Sequence, residues 1–470
     1  MRRVYAALLA LCLGLFGALA TAGPAQAAPQ KITNGTQFTD TSGNPVHAHG
    51  GGVLKVGSYY YWFGEHRNAD NTFRYVDAYR SSDLKNWEFR NHVLTEASDP
   101  ELAIANIERP KVMYNASTGK FVMWMHKENG TDYSEARAAV AVSDTVDGDY
   151  TWKGSFRPLG QHMSRDITVF VDTDGAGYMI SAARENYDLQ IYRLTADYTG
   201  IASLVANPWP GGHREAPALF KRGGVYFMLT SGATGWNPNQ QQYATATSIA
   251  GPWSAMKNVG DSTAYGSQTA FVLPVQGTSG TSYLYLGDRW GNSFDGTVND
   301  SRYVWLPLTF SNATTMSMSW SPEVTVDTAA GTVTGTAATY NTLIARHSSK
   351  CADVTSQSLW AGAQIKQYDC NGGGNQKYWF KSVGSGYYQL MVRNSSLCVQ
   401  ENASTVTQEN CASSATNQQW SLTTTGSYVT VTSRASGECL DVNGASTANG
   451  AALITYTCNG GTNQQWTRGT

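Results

Sequence analysis

Five strand-like stretches in the first two-thirds of the chain share one pattern. Each opens on a polar residue and is apolar at the fourth and fifth following positions. The openers are His49 (HGGGVL), Glu108 (ERPKVM), Asp166 (DITVFV), Glu215 (EAPALF) and Gln268 (QTAFVL), at spacings of 59, 58, 49 and 53 residues. Each stretch is followed by a turn and an aromatic second strand, as in VGSYYYWFGE, STGKFVMWMH and RGGVYFMLTS. Glycine at these turns suits a hairpin that needs positive φ. A long repeat built from short strands predicts a β-propeller, here of five blades over residues 28–325. The first strand of a blade lines the central channel, so the five openers are expected to converge on one axis.

A second, shorter repeat of about 43 residues occurs three times between residues 340 and 470, marked by NQKYW (375–379), NQQW (417–420) and NQQW (463–466). Three such units predict a β-trefoil, and the whole chain is read as all-β. The stretch 326–339, rich in Thr, Ala and Gly, reads as a linker with at most one closing strand. Six cysteines fall in the second repeat: Cys351, Cys370, Cys398, Cys411, Cys439 and Cys458. Of the 15 pairings six cysteines allow, the neighbour spacings of 19, 13 and 19 favour the local bridges 351–370, 398–411 and 439–458. A zinc site would want close Cys-x-x-Cys pairs, and the sequence has none.

Composition narrows the function. Only 14% of residues are charged and the formal net charge is -2, which argues against nucleic acid as a partner. The 26 Tyr and 14 Trp suit carbohydrate, whose C–H faces stack on rings. Residues 1–27 read as a signal peptide: Arg2 and Arg3, the apolar run Ala6 to Leu19, then Ala25-Gln26-Ala27 as a cleavage site. That run is short for a membrane span and no second one follows. With the cysteines, this predicts a secreted, extracellular protein with no membrane partner. Two folds of monomeric type on a linker predict a monomer.

The C-terminal repeat resembles the ricin B-type lectin modules. The Gln-x-Trp motif stands at Gln418-Gln419-Trp420 and Gln464-Gln465-Trp466, with Tyr378 in place of Trp in the first unit. The resemblance implies sugar pockets in which an Asp binds hydroxyls, an aromatic stacks on the ring and an Asn-Gln pair completes the site. The first unit offers Asp353, Tyr368, Asn375 and Gln376, and the third Asp441, Tyr456, Asn463 and Gln464. The middle unit has Gln400 and Glu409 where the Asp and the aromatic should stand, so its pocket is expected to be dead.

The N-terminal repeat resembles glycoside hydrolase family 43, carried by HAHGGGVLKVGSYYYWFGE, IERPKVMY, SRDITVFVD, HREAPALF, TSGATGWNPN and GSQTAFVLP in that order. Within that family it looks most like the exo-β-1,3-galactanases. The resemblance implies hydrolysis with inversion, which needs an acid and a base on opposite faces of the sugar, roughly 6.5–9.5 Å apart. It places Glu215 as general acid and Asp166 as the group that orients it and raises its pKa. The family's usual base, an Asp opening the first blade, is missing here. The resemblance puts Gln268 on the attacking water and Glu108 on the reacting sugar. An amide is a poor base, so Gln268 acts either through its imidic acid tautomer or by orienting water while Glu108 or Asp166 takes the charge. Further candidates at strand ends and blade loops are Glu65, Tyr133, Thr234, Trp236, Asn237 and Trp290. For the acids the bland alternative is a salt bridge to the adjacent arginine, Arg214 for Glu215 and Arg165 for Asp166.

The expected activity is exo-β-1,3-galactanase on the main chain of arabinogalactan, with the trefoil holding the polymer. Rival readings are α-L-arabinofuranosidase, β-xylosidase or galactofuranosidase, or a silent galactan-binding lectin. No cofactor is required. His47 and His49 find no third ligand, so no metal site is expected, although the family resemblance leaves room for a structural ion in the channel.

Overall fold

The computed structural model describes residues 28–403 and 405–469. The leader expected over 1–27, Cys12 included, lies outside the described residues. Five four-stranded antiparallel sheets follow one another along the chain, each with its strands in sequence order. Their inner strands are His49–Val56, Asn106–Asn115, Ile167–Val171, Arg214–Arg222 and Gln268–Gly277. Successive inner strands pack against one another, and the fifth meets the first to close the ring. The N-terminal part is a five-bladed propeller, as the repeat predicts.

Each blade is covered on both faces by its neighbours. Second strands therefore read as unbroken apolar runs, YYYWF or YFML, rather than as alternations. Trp62, Trp87 and Trp305 fill the seam between the first and fifth blades with Tyr303. The same seam takes in Ile32, Val324, Val326 and Val333.

Val326 and Val333, buried in that seam, correct the expectation of a linker at 326–339. Glu323–Asp327 and Thr332–Gly335 are both strands, and the first pairs with Gln30–Thr33 in a three-stranded sheet. Thr and Val favour extended backbone, and alternate residues here find apolar cover against the propeller. The two ends of the ring are thus joined by a shared sheet.

The C-terminal part is a β-trefoil whose core gathers Val354, Leu390, Trp420, Val442 and Trp466. Tyr340–Ala345 pairs with Trp466–Gly469, so first and last strands meet. Trp420 and Trp466 are fully buried, and their indoles donate to the carbonyls of Val399 and Leu440. Tyr378, in the equivalent place, is buried with its hydroxyl unpartnered among the described residues. The three disulfides join Cys351–Cys370, Cys398–Cys411 and Cys439–Cys458, the pairing the spacings favour.

The trefoil is packed against the propeller. Lys381 pairs with buried Glu323 at 2.5 Å, the Trp320 indole donates to the Tyr340 hydroxyl, and Phe294 meets Trp360. Among the described residues no helix is long and apolar enough to cross a membrane.

Candidate active site

The inner strands of blades one, two and four break register just after their openers, between His49 and Gly52, Glu108 and Lys111, and Glu215 and Ala218. The residue after each opener is left-handed: Gly50 at φ 61°, Arg109 at 53° and Ala216 at 50°. Such bulges re-aim a side chain at the rim of a sheet. Arg109 and Ala216 carry a cost of about 1–2 kcal/mol each for that conformation, a form of strain typical of functional sites. At Gly50 a Cβ would also stand 2.5 Å from the Glu65 carboxylate, and at Gly51 it would overlap the Phe63 carbonyl. The HGGG run is therefore a packing requirement of the first blade.

Four of the five openers converge on a cavity of about 220 Å³, lined by Glu108, Asp166, Glu215 and Gln268. The fifth does not: His49 is fully buried against Tyr303, with Nδ1 bonded to Asp288 at 3.0 Å. Glu65, Tyr133, Trp236 and Trp290 also line the cavity, as expected. Thr234 and Asn237 do not, although the Thr234 backbone amide acts on Glu215 and favours its ionised form. The Thr234 hydroxyl donates to the Asn237 carbonyl, and the two build the turn that presents Trp236.

Neither adjacent arginine pairs with its neighbouring acid. Arg214 donates to Thr230, and Arg165 pairs with Glu185. Instead Asp166 binds Arg109 Nε at 2.8 Å through Oδ1 and accepts from the Ala216 amide at 3.0 Å through Oδ2. Glu215 accepts from Asn186 Nδ2 at 2.9 Å and from Gln268 Nε2 at 3.0 Å. Burial, reinforced by the negative charge of Asp166 and opposed by Arg109, pushes the Glu215 carboxyl up to about 8. It therefore holds a proton near neutral pH, as a general acid must.

Gln268 is fixed by four bonds. Its Oε1 accepts from Arg109 at 2.5 Å and Trp290 Nε1 at 2.8 Å, while its Nε2 donates to Glu215 and to Ser231 at 2.9 Å. Arginine and indole only donate, so these partners determine which end of the amide faces them.

Glu108 accepts from Arg67 and Tyr133, both at 2.7 Å, and from His126 at 3.2 Å. Burial opposes its ionisation, but these bonds and charges prevail and hold it well below the usual carboxylate range. His126 also binds Glu128 at 2.7 Å. Burial works against its proton, yet the two carboxylates raise its pKa to about 9. Glu65 is tied to Arg67 at 2.6 and 2.9 Å, and burial still holds it above its ordinary value. Below the floor, Lys111 donates to the Gly50 carbonyl, and burial lowers its pKa to about 7.

Donor atoms of Glu108, His126 and Asp166 lie within 4.8 Å of one another, a cluster absent from the sequence reading. It does not fit a metal. A ligating imidazole must be neutral, whereas both His126 nitrogens are taken by carboxylates, and the two acids are held by Arg67 and Arg109. Arg67, Arg109, His126 and Asn186, the last a donor to Glu215, are site residues that sequence reasoning missed.

Residues 43–292 match the Glycosyl hydrolases family 43 family, and residues 339–466 match the Ricin-type beta-trefoil lectin domain. The chain belongs to glycosyl hydrolases family 43. It is a glycoside hydrolase with a carbohydrate-binding trefoil. It is 48% identical to an exo-β-1,3-galactanase from Clostridium thermocellum, over 93% of this chain and 99% of that one, with a TM-score of 0.66. An exo-β-1,3-galactanase from Phanerochaete chrysosporium, solved with β-1,3-galactotriose, is 29% identical over 91% of this chain and 100% of that one, with a TM-score of 0.66. A curated relative, the β-agarase of Agarivorans albus, is 36% identical over 59 residues, 12% of this chain, and the match spans only 13% of that protein's length.

The two expected trefoil pockets are built alike. Asp353 Oδ2 accepts from Asn375 and Gln376 at 2.9 and 2.7 Å, and Asp441 Oδ2 from Asn463 and Gln464 at 2.8 Å each. In both, Oδ1 is unpartnered among the described residues. Tyr368 and Tyr456 stand 47% and 54% exposed, ready to stack. In the middle unit Gln418 donates instead to the amide oxygen of Gln400, and Glu409 accepts from Thr407.

Proposed function

We propose that this glycoside hydrolase is a secreted, monomeric exo-β-1,3-galactanase that trims the galactan main chain of arabinogalactans with inversion. The propeller carries the reaction and the trefoil holds the polymer. The observation that carries this reading is the pairing of a proton-holding Glu215 with the amide Gln268, in a chain 48% identical over 93% of its length to an exo-β-1,3-galactanase. A cavity of about 220 Å³ suits one terminal ring, which supports exo action. Three disulfides support an oxidising, extracellular setting.

In this mechanism Glu215 protonates the glycosidic oxygen as the bond to C1 breaks. Water attacks C1 from the opposite face, positioned by Gln268, and its proton passes to a carboxylate of the site, Glu108 or Asp166, while the proton of Glu215 leaves on the departing galactan. Protonating Gln268 on oxygen would set an O–H against two donor-only partners, Arg109 and Trp290. That conflict favours water positioning over the imidic acid. Glu108, ionised between Arg67, Tyr133 and His126, binds hydroxyls of the reacting sugar. Trp236 and Trp290, packed edge-on with centroids 5.1 Å apart, wall the ring.

The test is product analysis on linear β-1,3-galactan, arabinoxylan and aryl arabinofuranosides. Galactose released from the first alone is the expected result. Pentose from the others would replace this activity with another of the same family, and binding without product would leave a lectin.

A further inference from the structure

A cleft of about 480 Å³ lies where the propeller meets the trefoil, more than twice the volume of the catalytic cavity. Two loops serve both spaces. The loop that presents Trp236 to the catalytic cavity places Pro238 on the cleft, and the loop that presents Trp290 places Ser293 and Phe294 there. A strand leaving the catalytic cavity over this wall would enter the cleft.

We propose that this cleft is a carbohydrate subsite for a short run of neutral hexose units on the polymer side of the bond to be cut. This rests on the galactan reading above and extends it to the rest of the substrate chain. Its aromatic surfaces are fixed by their polar tips: the Trp320 indole donates to Tyr340, and the Tyr265 hydroxyl to the Met318 carbonyl. Their rings stand 5.9 Å apart, tilted by 43°. Hydroxyl partners remain. The Asp261 Oδ1 is used by its own turn, leaving Oδ2 free among the described residues. The Arg393 guanidinium has no hydrogen-bond acceptor among those residues.

An aromatic surface with both donors and acceptors at its edge is the chemistry of sugar recognition. The cleft is also preformed, which limits the ordering cost of binding. The Arg289 guanidinium donates to Asn394 O at 2.7 Å from the trefoil and to Tyr265 O at 2.9 Å from the propeller, fixing one wall to the other.

The test measures binding without turnover, by calorimetry on the full chain carrying Glu215→Gln, Asp353→Asn and Asp441→Asn. These changes silence catalysis and both trefoil pockets. β-1,3-Galactohexaose is expected to bind about tenfold tighter than β-1,3-galactobiose, equivalent to about 1.4 kcal/mol. Adding Arg393→Ala should remove about fivefold of that advantage, the scale of one or two hydrogen bonds. Trp320→Ala should do the same by removing the stacking face. Galactobiose affinity is the internal reference for correct folding. Equal affinity for both sugars, or an advantage kept by both variants, overturns the subsite. Failure of the unsubstituted chain to release galactose from β-1,3-galactan instead overturns the activity, so the two outcomes are separable.

Discussion

The amide of Gln268 donates to the carboxyl group of Glu215 at 3.0 Å. Inversion needs roughly 6.5–9.5 Å between the acid and the group serving the water. A sugar ring must therefore come between the two side chains and break this bond. In a complex of Glu215→Gln with β-1,3-galactotriose, the two side chains are expected to stand at least about 6 Å apart. A crystal structure of that complex checks it, and a retained contact would remove Gln268 from the water's side.

Arg109 links Asp166 to Gln268 through separate nitrogens and binds the Thr269 carbonyl with a third. A planar fork with donors on three separate nitrogens spans these acceptors, whereas a lysine would have to serve all three from one nitrogen. Arg109→Lys should therefore lower kcat by about 10²–10⁴, the range for losing a positioned catalytic group. Retention of most of the activity would show that charge alone suffices. Unchanged thermal melting of the variant would separate this loss from unfolding.

The pH profile follows from Glu215. An acid with its pKa near 8 is active while protonated, so activity should fall on the alkaline side with a midpoint near that value. Asp166→Asn removes a charge that raises it and should move the alkaline limb of the remaining activity to lower pH. Stability changes in the same direction. Glu215 rises from 4.5 to about 8 on folding, and His126 from 6.5 to about 9. Between each pair of values the folded state binds the extra proton. The stability each contributes is full below the lower value and is lost as pH rises through the upper one. Thermal melts from pH 6 to 10 should show a falling Tm, and a flat profile would refute the shifts.

The openers were legible because a repeat puts equivalent residues at equivalent places. Glu108, Asp166, Glu215 and Gln268 each stand within two residues of the start of an inner strand, and the ring geometry brings them together. Arg109 was not legible. Its role depends on a left-handed backbone that turns it across two blades to Asp166 and Gln268, which no local pattern announces. His126 is hidden for a related reason, since it sits in the apolar run FVMWMH and its partners come from other positions in the sheet. Thr234 and Asn237 stood beside Trp236 in sequence, but the Thr234 hydroxyl is spent on the Asn237 carbonyl within the turn. The second strand around 326–339 was not legible because the sheet is seeded by Gln30–Thr33, nearly three hundred residues earlier, which pairs with Glu323–Asp327, and Thr332–Gly335 adds to that strand.

The trefoil offers a comparison inside one domain. In the first and third units, two side-chain amides hold one oxygen of a buried Asp and leave the other for a sugar, beside an exposed tyrosine. The middle unit keeps the amide contact but puts Gln400 in place of the carboxylate and Glu409 in place of the ring. A charged acceptor makes bonds roughly twice as strong as a neutral one, and Glu409 offers no face to stack on. Tyr368→Ala and Tyr456→Ala should each weaken retention on insoluble β-1,3-galactan, and together abolish most of it. Glu409→Ala should have no effect. Each stacking loss is expected to cost about 0.5–1.5 kcal/mol, or about twofold to twelvefold in affinity. Retention unchanged in the double variant would place polymer binding elsewhere, and weakening by Glu409→Ala would show the middle pocket to be active.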